Sequence, residues 1–215
     1  MSEIFREVDE EVRQERYLRL WKRYGPHATA AVVAVVVATA AIVGWRAYQV
    51  SEREAESVQY TAALRLLDAG DAVGAANAFG ELADSTGSGY GTLARLQQAA
   101  ALAEGSAAAA ADLYARIAED GGVDDIFRDL ARLRAAMLLM DSAPPEDLYP
   151  RLDALTANDN PWRFVAREMR ALVDLRAGKA SEARAAYEEL VDNVEAPQGV
   201  RRRAAEMVTV LGGDG

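Results

Sequence analysis

The chain has 215 residues, a formal net charge of −10 and no cysteine, so disulfides and thiolate chemistry are excluded. With 34 acidic against 24 basic side chains and no basic cluster interleaved with aromatics, it repels nucleic-acid phosphates. The single histidine, His27, leaves no means of building a histidine triad or zinc site.

Alanine inflates the hydrophobic share of 51%, while aromatics stand at 7%, a balance that favours helix throughout. Residues 1–25 open the chain with apolar positions at Ile4, Val8, Val12, Leu18 and Trp21, the spacing of an amphipathic helical arm. Residues 26–45 then read as a single transmembrane helix. Between Arg23 and Arg46 lie 22 residues free of Asp, Glu, Lys and Arg. As a helix they reach about 33 Å, the thickness of a hydrocarbon core. Val32, Val33, Val35, Val36, Val37, Ile42 and Val43 together favour insertion by about 2–4 kcal/mol. Trp21, Lys22 and Arg23 ahead of the run, with Trp45 and Arg46 behind it, have the chemistry of headgroup anchors.

Ala38-Thr39-Ala40 has the small residues of a signal-peptide cleavage site, but six acids precede the apolar run, unlike a short basic leader. A retained anchor is the expectation. Arg13, Arg16, Arg19, Lys22 and Arg23 outweigh Arg46 and Arg53 across the span, which predicts a cytoplasmic N-terminus and a translocated C-terminal domain.

Residues 46–215 form the third region. The helical pattern continues from Arg46 to Asp68 and meets its first breaker at Gly70. From there a unit recurs in which Gly is followed after five residues by Ala and after nine by an aromatic. Its copies are Gly70, Ala75, Phe79; Gly105, Ala110, Tyr114; and Gly178, Ala183, Tyr187, continued by Leu82, Ile117 and Leu190. The double interval before the last copy predicts a hidden one at Leu148, Leu152 and Leu155. In this reading Gly ends the first helix of a pair in a left-handed conformation, Ala permits close approach, and the aromatic packs between units.

Gly87 to Gly91, Gly121-Gly122, Asn158 to Pro161 and Pro197 to Gly199 fall between units, with Asn160-Pro161 read as an N-cap and first-turn pair. Val200 to Leu211 is read as a capping helix. The Gly-x4-Ala-x3-aromatic spacing resembles the second half of a tetratricopeptide repeat. Ala63 and Ala171 suit the small position of its first helix, whereas Gln98 does not. The expected fold is therefore all-α: one transmembrane helix followed by a tetratricopeptide repeat-like α-α solenoid.

Paired acids at Asp9-Glu10-Glu11, Asp124-Asp125 and Glu188-Glu189 point to different helix faces, and Gly87-Ser88-Gly89-Tyr90-Gly91 lacks the lysine of a phosphate loop. No catalytic residue, cofactor, metal or small-molecule substrate is expected.

Taken in order, Leu20-Trp21-Lys22-Arg23-Tyr24-Gly25, the span closing on Gly44-Trp45-Arg46, and repeats ending near Leu211-Gly212-Gly213 resemble the ancillary SecYEG translocon subunit family, YfgM-like. The resemblance implies a single-pass bacterial inner-membrane protein with its C-terminal domain in the periplasm. It further implies contact with the Sec translocon, periplasmic chaperones or client chains, and no enzymatic activity. An envelope-assembly or cell-division scaffold would have the same architecture.

Overall fold

The computed structural model describes residues 2–87 and 89–212, and the side chains of residues 22, 30, 33–87 and 89–212. Among these residues there are nine helices and no strand. The first, α1, runs from Ser2 to Asp68, so arm, apolar run and first repeat helix are one helix through residues 25 and 26. The amphipathic stripe from Ile4 to Trp21 falls outside the described side chains.

Two compact units divide the chain, Met1–Ala55 and Glu56–Gly215. In the first, every described side chain from residue 33 to residue 55 is exposed. Val35, Val36, Val37 and Val43 each expose 60% or more of their surface, so no protein core covers this apolar helix. α1 contains a stretch, starting at Val33, long and apolar enough to cross a membrane.

In the second unit the last turns of α1 pair with α2 (Ala72–Ser85), and α3 (Gly89–Leu102) pairs with α4 (Ala107–Glu119). Next, α5 (Asp125–Leu139) pairs with α6 (Pro145–Asp153) and α7 (Arg163–Arg176) with α8 (Ala180–Asp192), before α9 (Gln198–Gly212) closes the stack. Hydrophobic clusters follow the same order. Each joins one pair to the first helix of the next, as when Ala63 of α1, Phe79 of α2 and Ala94 of α3 share a cluster. Contacts between successive units only are what make a solenoid.

The pairs close on alanine. Ala75, Ala110 and Ala183 are fully buried, and Phe79, Tyr114 and Tyr187 lie one turn further on with at most 5% exposed. In the third pair Leu148, Leu152 and Leu155 take these places with no exposed surface. There the bulkier Leu148 stands where the other pairs have alanine, on the shortest helix, which also holds Pro150. Each large side chain so buried contributes about 1.5–3 kcal/mol.

The turns between paired helices are of two kinds. Gly70 and Gly178 have φ of 80° and 77°. Around them Asp71 N–H reaches Leu66 O, Gly70 N–H reaches Leu67 O, and Lys179 and Gly178 repeat both bonds onto Asp174 and Leu175. This double closure satisfies the last helical carbonyls. Gly105 departs from the expectation, for its φ is not positive. Here Gly105 N–H still reaches Leu102 O, but Ser106 N–H donates to that same carbonyl rather than one residue further back, where Glu104 N–H donates to Ala101 O instead. Ser106 then caps α4 through Ala109 N–H at 3.2 Å.

Two further expectations are corrected. The segment Gly87 to Gly91 is not all loop, since Gly89, Tyr90 and Gly91 are in the first turn of α3. Gly91 is buried there, and a Cβ on it would stand 2.7 Å from the Thr86 carbonyl oxygen. Asn160 does not cap α7 directly. Its Oδ1 accepts from Trp162 N–H at 2.8 Å, closing a turn before the helix begins at Arg163. Gln98, the misfit at the small position, lies over Gly80 of α2, whose missing side chain makes the room.

Candidate protein-binding face

Helices α5, α7 and α9, the first members of three successive units, enclose a groove of about 760 Å³. Met137 and Met140 come from α5 and its C-cap, Val165, Met169 and Leu172 from α7, and Met207 from α9. The chain has five methionines, and four of them meet here. Met140 and Met169 are buried as the floor, while Met137 is 46% exposed at the mouth. Unbranched thioether side chains repack at little cost, which suits a surface that must fit more than one shape.

The remaining lining is charged or phenolic. Arg203 donates from Nε and Nη2 to both oxygens of Glu168, each at 2.6 Å, tying α9 to α7 across the groove. That carboxylate holds the guanidinium pKa above its ordinary value. Burial pushes the Tyr187 phenol up to about 12, and the nearby Glu168 charge adds to the effect. Asp141 and Glu206 complete the wall, and neither has an ion pair among the described residues.

A smaller groove of about 230 Å³ lies between α1, α3 and α5, bordered by Tyr60, Leu93, Leu96 and Phe127. Tyr60 stacks edge-on against Phe79 at 5.3 Å between ring centres and lies 5.8 Å from Tyr90. The first helices of the pairs thus bear apolar recesses at both ends of the stack.

Of the residues expected at the membrane interface, Lys22, Trp45 and Arg46 are exposed, with Trp45 6.3 Å from the Tyr48 ring. The side chains of Trp21 and Arg23 fall outside those described. The repeat residues Ala75, Ala110, Ala183 and their aromatic partners lie in the interior, with Tyr187 reaching the methionine groove and Tyr114 the smaller one. Among the described residues, no group of three or more His, Cys, Asp or Glu is arranged to hold a metal ion.

Polar side chains elsewhere act between helices. Asp174, 5% exposed, accepts from the Tyr149 hydroxyl at 2.7 Å and from Arg170 at 3.4 Å, which locks α6 to α7. Asp120 is held below the ordinary carboxylate range by the Gly122 backbone N–H and by Arg95, which bridges from α3.

The family model of a tetratricopeptide repeat-like domain matches residues 19–208. The chain belongs to that family. The match begins ahead of the apolar run, so that a tetratricopeptide repeat-like chain here includes the helix able to cross a membrane. No curated protein and no solved structure matches the chain. Domains of the tetratricopeptide repeat-like kind are protein-interaction modules, and the methionine groove is an apolar recess of this one.

The groove was missed by sequence reasoning because Met137, Met140, Met169 and Met207 share no period. Only the stacking of alternate helices brings them together. The available signal was coarser: three stand on or at the end of what the repeat scheme makes the first helix of a pair, and the fourth, Met207, on the capping helix.

Proposed function

We propose that this chain is a membrane-anchored protein-interaction module of the bacterial inner membrane, with its N-terminus cytoplasmic and its repeats in the periplasm. We further propose that it serves the Sec translocon as an ancillary subunit, passing emerging polypeptides to periplasmic chaperones. The observation that carries the interaction reading is the methionine-lined groove on the first helices of three successive units. Support for the anchor comes from the exposed valine-rich stretch of α1, and support for orientation from the excess of basic residues ahead of it. Support for the translocon comes from the ordered resemblance of arm, span and repeats.

In-cell photocrosslinking from Met137, Leu93 and Trp45, followed by mass spectrometry, tests the reading. Sec subunits or periplasmic chaperones captured from the groove positions support it. Division or envelope-assembly proteins captured there would replace the translocon role with a scaffold role and leave the module standing. Capture from Trp45 alone, with nothing from the groove, would overturn the groove as the binding face.

A further inference from the structure

We infer that the groove between α5, α7 and α9 takes an amphipathic α-helix of the partner protein, apolar on one side and edged with lysine or arginine. The inference rests on the interaction reading above and specifies the chemistry of its partner.

The first argument concerns the backbone. The groove walls are helices whose N–H and C=O groups are already bonded within themselves, and no strand edge is present among the described residues. An extended peptide buried against Met140, Met169 and Met207 would lose water from its own amides and find few partners in return. The polar groups available are side chains, and two of them, Arg203 and Glu168, already satisfy each other. A helix arrives with its backbone bonds made, and needs only an apolar stripe to fill the recess.

The second argument is charge. The wall holds Asp141, Glu168 and Glu206 against Arg203 alone. Arg203 is bonded to Glu168 and also feels the Glu206 charge, so three carboxylates face one guanidinium beside an apolar floor and the wall is left net negative. A cationic side chain at the edge of the incoming stripe meets them, and an anionic one is repelled. The volume fits as well. About 760 Å³ corresponds to about 25 waters at liquid density, a filling that several aliphatic side chains displace.

The test uses the full chain in zwitterionic lipid nanodiscs, with empty nanodiscs subtracted, and two fluorescent helical Leu/Ala peptides identical except for edge Lys or edge Glu. Fluorescence anisotropy is expected to show the Lys peptide binding at least about tenfold more tightly. Asp141→Lys/Glu206→Lys is expected to invert that preference. Met137→Gln, at a half-exposed position that does not threaten folding, is expected to weaken the Lys peptide about tenfold. The control Asp84→Lys/Asp112→Lys, with the same change of net charge on α2 and α4, is expected to leave the preference intact. Equal binding of both peptides, binding of neither, or inversion by the control pair overturns the inference. Should neither peptide bind while Met137 still crosslinks a protein in cells, the helix-and-cation chemistry fails and the interaction reading survives.

Discussion

Gly105 and Gly178 occupy the same position of the repeat, yet alanine at the two should act with opposite sign. At Gly178, with φ of 77°, a Cβ meets nothing within 4 Å, so the only native-state cost is the left-handed backbone. That conformation costs an L-residue about 1–2 kcal/mol. Against it stands the lower entropy of the unfolded chain, which stabilises an alanine variant by about 0.4–1 kcal/mol. Gly178→Ala is therefore expected to lose about 1 kcal/mol net, by difference of these terms. At Gly105 the φ is not positive and the nearest atom to a Cβ, Leu102 O, is 3.9 Å away. Only the entropic gain remains, and Gly105→Ala is expected to stabilise by about 0.4–1 kcal/mol. Thermal unfolding followed by far-UV circular dichroism resolves the pair, since about 2–4 °C accompanies each kcal/mol in a domain of this size. A drop in Tm for Gly105→Ala equal to that for Gly178→Ala would refute the distinction between the two turns.

Other variants probe packing, polar locks and the anchor. Ala183→Trp forces an indole into a fully buried contact of α8 and is expected to cost about 1–3 kcal/mol or more, so an unchanged Tm would contradict the close pairing of α7 and α8. Asp174→Ala strips the partner from the Tyr149 hydroxyl and is expected to cost about 1–3 kcal/mol, measured by urea unfolding against Tyr149→Phe/Asp174→Ala, which should recover part of the loss. Tyr187 keeps its proton in the folded state up to pH of about 12 while the unfolded phenol releases it near 10, so stability present below pH 10 should decline between the two values. The difference between the parent and Tyr187→Phe isolates that decline, and parallel pH profiles would rule it out. Val36→Asp/Val37→Asp adds about 2.5–3.5 kcal/mol per residue to insertion and should move the chain from the membrane fraction to the soluble one.

How far the fold was legible depended on where the controlling contacts were local. The Gly, Ala and aromatic spacing is short-range, and the paired helices it implies are present, with Leu148, Leu152 and Leu155 marking the third pair even without the glycine. Boundaries misread in the sequence are those where a residue's usual tendency yields to a neighbour. Glycines 89 and 91 read as breakers, yet both stand in the first turn of α3, where only a hydrogen at position 91 fits beside the Thr86 carbonyl. Asn160 keeps its capping chemistry but applies it to the preceding turn. Gln98 breaks the small-residue rule of its helix because Gly80, eighteen residues earlier on another helix, supplies the space. The groove was the least legible feature, since it exists only between residues brought together by the stack.

The gathering of methionines also provides a built-in spectroscopic probe. Isotope labelling of methionine ε-methyl groups gives signals from five residues, four of which line the groove. Nearly the whole spectrum therefore reports on one surface, with the buried Met140 and Met169 sensing its floor and Met137 its mouth. Titration with any prospective partner can thus be followed at the groove itself, within a full-length chain in lipid, without introducing a foreign label.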